Sequence, residues 1–347
     1  MTNDDVLILK GAEVLALLEG REREIIDTVA AAYRTHSLGD SCVPYSSFVR
    51  FPARERERII ALPAYLGGEF ASAGLKWIAS FPGNLERGLE RASAVLVLNS
   101  TETGHLQAIM ESSLVSAKRT AASAALAGDT LSGPTPVTSV GVVGCGLINF
   151  ETVRFLRVLR PELDQLLVHD LDPKRARQFQ QRYQIVSPGV EVRVVDDLAA
   201  VFDNAPVVAM ATTAVKPHID RLPDRHPASV VLHTSLRDLT VNAILQADNV
   251  VDDIDHVLRA ETSVHLAEQK VGHRDFIRCT IGDILNGAAS PRNEDRSAVV
   301  FSPFGLGVLD LAVAGVVHRH AVAQGAGTSI GDFLPPPWID RNERQTA

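Results

Sequence analysis

Residues 139–159, with the sequence SVGVVGCGLINFETVRFLRVL, constrain this chain more than any other stretch. Small and apolar residues at 140–143 lead into a Gly-Cys-Gly turn, and a helical pattern begins at Leu147. Gly144 permits a sharp turn, and Gly146 carries no Cβ that would block an approaching ligand. This pattern is typical of a strand, turn and helix that seat a dinucleotide pyrophosphate against the helix N-terminus.

Two further positions bear on the dinucleotide prediction. Asn149 occupies the third glycine position of the fingerprint, whereas Asp170 ends the apolar run 165–170, where a Rossmann second strand holds its ribose-binding carboxylate. A carboxylate accepts from a 2′-hydroxyl and repels a 2′-phosphate, so Asp170 favours NAD over NADP. Lys174 and Arg175 follow closely, and their positive charges weaken the preference for NAD. The alternative is an ordinary strand-turn-helix in which Asp170 caps the next helix.

Composition limits the class of protein. The 347 residues are 46% hydrophobic and 22% charged, which is typical of a soluble globular enzyme with room for two domains. A net charge of -8 argues against nucleic-acid binding. Cys42, Cys145 and Cys279 are far apart and the histidines match no compact zinc pattern, so we expect no metal. An acidic start and the lack of a long apolar run predict a cytoplasmic protein without a membrane span.

Periodicity predicts an α/β chain with two sheets. After the glycine turn, strand and helix patterns alternate as a doubly wound parallel sheet requires, with strands expected at 140–143, 165–169, 191–195, 207–212, 229–234 and 249–252. The segments before residue 130 predict a mixed, largely antiparallel α+β domain. We therefore predict a Rossmann domain over 131–305, and a substrate-binding and dimerisation domain formed by 1–130 together with 306–347.

Several charged residues stand out against apolar surroundings. Lys76 lies inside an apolar strand, and a buried lysine requires either a structural carboxylate or an anionic ligand. A helix of small residues, 111–127, carries Lys118 and Arg119; we expect Lys118 to be solvated. Asp238 follows the fifth strand of the predicted parallel sheet, where it is either a catalytic group beside the cofactor or a helix N-cap.

With these segments together, the chain resembles the ornithine cyclodeaminase/μ-crystallin family over nearly its whole length. The segments that carry the resemblance are FVRFP, ALPAYLGG, GLKWIASFPGN, SAKRTAASAAL, VGCGLINFETVRFL, HTSLRDL, ETSVHLAEQKVGHRDFIRC and SPFGLGVLDLA. The family implies a homodimer of two-domain subunits. It implies Arg50, Lys76 and Arg119 as substrate-binding cations, Asp238 with Lys76 as catalytic residues, and contacts to NAD from Thr120, Gly144, Gly146, Leu147, Ile148, Asp170, Thr212, Thr213, Ser235 and Leu236.

The resemblance is strongest to members that act on a glutamate conjugate. It implies NAD-dependent oxidative cleavage of N-(2-amino-2-carboxyethyl)-L-glutamate to L-2,3-diaminopropionate and 2-oxoglutarate, a step in siderophore or antibiotic precursor synthesis. Two arginines and a lysine suit the three carboxylates of that substrate. Cyclodeaminases carry a glutamate where this chain has Ile60, which weighs against ornithine. The alternatives are a cyclodeaminase or amino-acid dehydrogenase with another substrate, and a non-catalytic, μ-crystallin-like protein that binds a nucleotide or small ligand.

Overall fold

The structure is a computed structural model that describes residues 5–222, 229–293, 298–335 and 338–340. Its strands are β1 Val6–Leu9, β2 Ser41–Cys42, β3 Ser47–Phe51, β4 Arg54–Leu66, β5 Ser72–Ser80, β6 Ala92–Asn99, β7 Leu106–Glu111, β8 Ser139–Val143, β9 Gln165–His169, β10 Glu191–Val194, β11 Val207–Met210, β12 Ser229–His233, β13 Asp248–Val251, β14 Ile277–Thr280, β15 Ala298–Ser302 and β16 Thr328–Ile330.

The α-helices lie between these strands and complete two layered units. They are α1 Gly11–Leu18, α2 Glu22–Ser37, α3 Ser113–Ser132, α4 Leu147–Leu159, α5 Pro173–Val186, α6 Leu198–Asn204, α7 Val241–Gln246, α8 Ile254–Val257, α9 Ser263–Val271, α10 Ile281–Leu285 and α11 Gly307–Gln324, with short 3₁₀ helices at Pro82–Arg87 and Trp338–Asp340. Within the described ranges, no helix combines the length and apolar character needed to cross a bilayer.

One sheet is parallel throughout and has the order β10-β9-β8-β11-β12-β15-β13-β14. The chain order reverses between β8 and β11, so this is a doubly wound sheet with its switch point beside the glycine turn. The predicted α/β fold class is confirmed, and all six predicted strands are present. Four of them end one or two residues earlier than expected, because β10, β11, β12 and β13 end at Val194, Met210, His233 and Val251. β14 was not predicted.

The other sheet has the order β16-β1-β7-β6-β5-β4-β2, with β3 paired to β4. It is antiparallel except for the β1–β7 pair, as the expectation of a mixed, largely antiparallel sheet requires. Lys76 on β5 is opposite Leu62 on β4 and Leu96 on β6, so the three side chains share a face. Helix α11 packs against β4 and β5.

Helix α3 connects the two sheets because its small residues allow close packing. Ala121, Ala124 and Ala125 are fully buried, and α3 contacts α2, α4, α11 and β12. A Cβ added at Gly128 would lie 3.3 Å from side-chain atoms of both Leu156 and Leu232. The helix therefore reaches from the antiparallel unit into the core of the parallel one.

We expect Gly74→Ala to destabilise the protein. A Cβ at Gly74 would lie 2.1 Å from the carbonyl oxygen of Val97 and 2.9 Å from Leu311 Cδ2, so β5 and β6 must separate or α11 must shift. Overpacking of this kind lowers the free energy of unfolding by about 2 kcal/mol. Urea unfolding followed by circular dichroism measures the change.

The matched control is Gly83→Ala. A Cβ at Gly83 would have nothing within 4 Å, so its free energy of unfolding should stay within about 0.5 kcal/mol of the unaltered protein. Equal stability of the Gly74 and Gly83 variants would show that the interpretation of the β5–β6 contact is wrong.

Candidate active site

The glycine turn after β8 has the backbone geometry that a dinucleotide requires. Gly144 has a φ of 91°, and a Cβ there would lie 2.6 Å from the carbonyl oxygen of Ala211. At Gly146, the N-cap of α4, the nearest atom to an added Cβ is Arg175 Nη2 at 3.7 Å. Helix α4 begins at Leu147, and the first N-H groups of a helix have no partner within it. The turn therefore fits a pyrophosphate that approaches the helix N-terminus.

Asn149 explains how the turn tolerates the loss of the third glycine. Its Nδ2 donates to the carbonyl oxygens of Val143 at 2.9 Å, Gly144 at 2.8 Å and Ala209 at 3.2 Å. The side chain is buried and ties the end of β8 to β11 across the switch point. An asparagine at this position therefore stabilises the turn by hydrogen bonds rather than by close helix-strand packing.

Asp170 lies directly beside the glycine turn. Its Oδ2 accepts from the backbone N-H of Cys145 at 2.8 Å, and its Oδ1 accepts from that of Asp172 at 2.9 Å. The N-cap of α5 is Asp172, whose side chain accepts from Lys174 N at 2.9 Å. Asp170 is therefore not the helix cap that the alternative interpretation required. Arg175 Nε is 3.8 Å from Asp170 Oδ2 and partly balances its charge.

Asp238 is buried with 0% exposure at the carboxyl end of the parallel sheet. Its carboxylate accepts from Thr212 Oγ1 and, at 2.5 Å, from Ser235 Oγ, and it lies 3.4 Å from His233 Nε2. Burial alone would raise the pKa of Asp238, but the contacts with His233, Ser235 and Thr212 outweigh burial and hold the pKa below its ordinary value. The carboxylate is therefore ionised at neutral pH and can accept a proton.

The alternative interpretation of Asp238 as a helix N-cap is excluded by the local geometry. The N-cap of α7 is Thr240, whose Oγ1 accepts from Ala243 N at 3.3 Å. Sequence reasoning missed His233 and Ser302, whose Nδ1 and Oγ are 3.2 Å apart in the buried layer behind Asp238. The sequence signal was a histidine that ends an otherwise apolar strand.

Besides the cluster formed by Asp238 with Thr212, Ser235 and His233, the site contains a second cluster, an ion triad. Lys76 Nζ lies 2.7 Å from Asp310 Oδ2, and Arg119 Nε donates to Asp310 Oδ1 at 2.9 Å. All three residues are buried, with exposures of 2% for Lys76, 8% for Arg119 and 0% for Asp310. Burial lowers the pKa of Lys76 to about 8, although Asp310 opposes the shift. Lys76 also donates to Ser116 Oγ at 3.1 Å.

Asp310 is the structural carboxylate that the buried lysine required. The sequence contained a signal for it, because Asp310 interrupts the apolar run of α11. A buried acid and a buried base, each costly alone, are expected to pair. Pairing over this separation depends on α11 packing across β5, which the sequence pattern does not specify.

The turn between β15 and α11 joins the ion triad to the parallel sheet. Asp252 accepts from the backbone N-H of Phe304 at 2.9 Å and of Gly305 at 2.7 Å. Gly305 has a φ of 94°, and a Cβ there would lie 3.0 Å from Arg119 Nη1. β15 ends at Ser302, which contacts His233 behind Asp238. The short turn that follows β15 therefore connects the surroundings of Asp238 to the ion triad.

The expectation that Lys118 is solvated was wrong. Lys118 is 4% exposed, and its Nζ lies 3.3 Å from Glu151 Oε2 and 5.7 Å from the centre of the Phe155 ring. Helix α3 is covered by α4 along this face, which sequence periodicity alone did not show. The residue is part of the contact between α3 and α4.

The other predicted site residues lie around these clusters, and their roles stay predictions. Arg50 is exposed on β3, with its guanidinium 5.2 Å from the Phe48 ring centre. Thr120 Oγ1 donates to the carbonyl of Ser116 within α3. The remaining positions lie in the loops and first helical turn at the carboxyl end of the parallel sheet: Ile148 is partly buried, Leu147 and Thr213 are exposed, and Leu236 has a left-handed φ of 72°. In the described part of the chain, no group of three or more His, Cys, Asp or Glu side chains is placed to hold a metal.

Comparison with known proteins identifies the family of the chain. The model of the ornithine cyclodeaminase/mu-crystallin family matches residues 7–325. The chain belongs to this family. The match spans both sheets and includes both clusters of the candidate site, so the resemblance inferred from the sequence is confirmed.

Named relatives within the family catalyse redox reactions of amino acids. N-((2S)-2-amino-2-carboxyethyl)-L-glutamate dehydrogenase of Staphylococcus aureus is 25% identical over 334 residues, which cover 94% of this chain and 99% of the relative. Alanine dehydrogenase of Archaeoglobus fulgidus is 28% identical over 337 residues, with 95% and 99% covered. A solved archaeal alanine dehydrogenase dimer with bound NAD superposes with a TM-score of 0.82 at 27% identity, covering 95% of this chain and 100% of that one.

We expect Asp310→Asn to destabilise the ion triad. The substitution keeps the shape of the side chain but leaves Lys76 and Arg119 buried without a countercharge. Loss of one partner in a buried ion pair costs about 3 to 5 kcal/mol of folding free energy, and the pKa of Lys76 should fall further. Urea unfolding measures the first effect, and chemical modification of lysine as a function of pH measures the second.

Asp275→Asn is the matched control for charge removal. Asp275 is 87% exposed on its side chain and lies 3.4 Å from His273 Nδ1, so the variant should unfold within about 0.5 kcal/mol of the unaltered protein. If Asp310→Asn were as stable as this control, the triad would not hold the site together.

Proposed function

We propose that this protein oxidises N-(2-amino-2-carboxyethyl)-L-glutamate with NAD and hydrolyses the product imine to L-2,3-diaminopropionate and 2-oxoglutarate. The coarser activity is plain: the protein is an NAD-dependent oxidoreductase of amino acids, as its named relatives are. The relative from S. aureus is named for the proposed substrate. Siderophore or antibiotic precursor synthesis is the proposed context.

The observation that carries the substrate proposal is the charge of the ion triad. Two buried cations, Lys76 and Arg119, share one carboxylate, that of Asp310. The cluster therefore keeps about one positive charge away from water, and an anionic group of a ligand would balance it. A carboxylate next to the reacting carbon supplies that charge, and the planar guanidinium of Arg119 can orient it.

Ile60 supports an acidic rather than a diamino substrate. Ile60 on β4 lies opposite Ile78 on β5. Ile78 is two residues after Lys76, so Ile60, Ile78 and Lys76 share one face of the sheet. An ammonium group at this point of the cleft would meet apolar side chains and a cationic cluster. The geometry therefore favours a substrate without a second amine at the position where ornithine carries one.

The residues of the chain have separate roles in the proposed reaction. NAD, when bound, accepts the hydride from the glutamate α-carbon. Gly144, Gly146 and the first turn of α4 hold its pyrophosphate, and Asp170 holds a ribose. Lys76 and Arg119 bind the substrate α-carboxylate and lower the pKa of the neighbouring amine, whose lone pair must be free to assist hydride departure.

Asp238 serves the hydrolytic half of the reaction. The ionised carboxylate accepts a proton from the water that attacks the imine carbon. The carbon-nitrogen bond then breaks, the nitrogen leaves with a proton as 2,3-diaminopropionate, and the carbonyl remains on 2-oxoglutarate. Thr212 and Ser235, which we predicted as NAD contacts, donate hydrogen bonds to the carboxylate of Asp238 and hold it in position. They therefore connect the loops predicted to contact NAD with the catalytic carboxylate.

We also propose the homodimer and the domain division that the family resemblance implies. Val49, Tyr65 and Trp77 lie on the sheet face opposite Lys76 and are 44%, 38% and 39% exposed. An exposed apolar sheet face of this kind supports association with a second copy. Residues 1–130 with 306–347 would form the substrate and dimerisation domain and residues 131–305 would bind NAD. Location in the cytoplasm stays a prediction.

The substrate proposal predicts the ranking of amino acids in one assay. Formation of NADH is measured by absorbance with the glutamate conjugate, L-ornithine and L-alanine in parallel, and the products are identified by mass spectrometry. We expect kcat/KM for the conjugate to exceed the other two by about a hundredfold, because three carboxylates can contact cations. Faster oxidation of L-alanine would instead support a simple amino-acid dehydrogenase. Tight NAD binding without turnover of any of them would indicate a binding protein.

The role of Asp238 predicts the behaviour of Asp238→Asn. The amide cannot accept a proton from water, so kcat should fall by about 10²- to 10⁴-fold, while the dissociation constant for NAD and the far-ultraviolet circular dichroism stay unchanged. Steady-state kinetics and NAD titration measure these effects. Full turnover by this variant would rule out the assigned role.

A further inference from the structure

A small cavity lies next to the candidate site, between the antiparallel sheet and the segment that follows α8. It has a volume of about 180 Å³ and is lined by Ser46, Phe48, Arg50, His256, Arg259 and Phe304 among others. Phe304 belongs to the turn that leads to Gly305 and so to Arg119. The cavity therefore borders the turn that joins the ion triad to the parallel sheet.

Arg259 lines this cavity, and one of its guanidinium nitrogens lacks an acceptor among the described residues. Its guanidinium lies 3.6 Å from the centre of the Tyr45 ring, and its Nη1 is buried without a hydrogen-bond partner among the described residues. The following backbone is fixed by Arg237, which donates to the carbonyl oxygens of Ala260 and Glu261. A buried guanidinium donor without an acceptor is costly, and an anionic ligand would satisfy it.

The surroundings of the cavity are strongly cationic. Burial lowers the pKa of Arg58, and the nearby guanidinium groups of Arg237, Arg91 and Arg50 lower it further. Arg58 Nε is also buried without a hydrogen-bond partner within the described structure. No salt bridge from a described carboxylate reaches Arg50, Arg58 or Arg259 within 4 Å. Among the described residues, the arginines in this part of the cleft are therefore left without a carboxylate partner.

The register of the antiparallel sheet places Arg50 and Arg58 on the same face as Lys76 of the ion triad. Arg50 is opposite Arg58, and Arg58 is opposite Ser80, which shares the face of β5 that carries Lys76. Four residues of strand place Ser80 about 13 Å from Lys76 between Cα atoms. Phe48, Ile60 and Ile78 are opposite one another between the two ends. The face thus has a cation at each end and apolar side chains between them.

We propose that the cavity at Arg259 binds a second, isolated carboxylate of the substrate, the γ-carboxylate of its glutamate half, and so selects 2-amino acids with an acidic side chain. This inference rests on the proposed function. A glutamate skeleton has the matching pattern, with a carboxylate at each end and two methylene groups that pack against the apolar side chains.

The chemistry of the cavity decides which arm of the substrate it accepts. The diaminopropionate arm ends in both an ammonium and a carboxylate, whereas the glutamate side chain ends in a carboxylate alone. None of the described residues that line the cavity is acidic, and the neighbouring carboxylate of Asp253 is already paired with His256 and His36. An ammonium group would therefore lie beside Arg50 and Arg259 without a free carboxylate in the described cavity wall. The isolated carboxylate is the arm that fits.

The test compares two 2-oxo acids of equal chain length, 2-oxoglutarate and 2-oxopentanoate, which differ only in the terminal carboxylate. Their dissociation constants for the NADH-loaded protein are measured by calorimetry. We expect 2-oxoglutarate to bind about ten- to a hundredfold more tightly, as one charge-assisted hydrogen-bonded pair supplies. In Arg259→Gln this preference should fall to about one, with 2-oxopentanoate binding unchanged.

Two further variants separate charge from folding. Arg193→Gln removes the same charge from an exposed position on β10 and should keep the preference. Arg259→Lys keeps the charge without the planar fork and should retain part of it. Equal binding of the two oxo acids by the unaltered protein, or an unchanged preference in Arg259→Gln, would overturn the assignment.

Failure of the subsite assignment and failure of the proposed reaction give different results in these assays. If the conjugate yields no NADH, yet the preference for 2-oxoglutarate exists and is lost in Arg259→Gln, the subsite stands and the reaction proposed for it is wrong. If the conjugate is oxidised and Arg259→Gln leaves its KM unchanged, the reaction stands and the subsite assignment is wrong.

Discussion

The site depends on one carboxylate shared by two buried cations. Asp310 holds Lys76 and Arg119 within 2.9 Å of its oxygens in a region that is closed to water. Without Asp310, two positive charges would be buried with no countercharge, and with a second carboxylate no net charge would remain for a ligand. Because the triad has two cations and one carboxylate, Asp310 keeps Lys76 and Arg119 in place while the cluster still attracts an anion.

This triad is also a structural junction. Its members come from β5, α3 and α11, which belong to distant parts of the chain. Helix α3 reaches α4 and β12 of the parallel unit, and the turn before α11 is fixed by Asp252. Lys76 and Arg119, the cations that we propose bind the substrate, are therefore positioned by the same contacts that join the two sheets. Asp238 lies at the carboxyl end of the sheet that those contacts reach.

Local patterns predicted the parallel sheet well, because a run of buried valines followed by a glycine turn has few other structures. The register of 165–170 also placed Asp170 beside the turn, where it accepts from Cys145 N. The same reasoning failed for Lys118, whose burial depends on the helix that covers it. It also missed His233, since nothing local shows that a histidine at a strand end lies 3.4 Å from Asp238.

The sequence by itself determined the family, the dinucleotide turn and the residue types of the site, since each depends on short-range spacing. Only the tertiary structure decided which charges pair. Asp310 lies more than 200 residues from Lys76 in the chain, and Arg259 lies more than 200 residues from Arg50. The ion pair of the first two and the shared cavity of the second two follow from how α11 and the segment after α8 pack against the antiparallel sheet. The free energy of a buried charge depends on that packing, because burial removes the water that would otherwise solvate it.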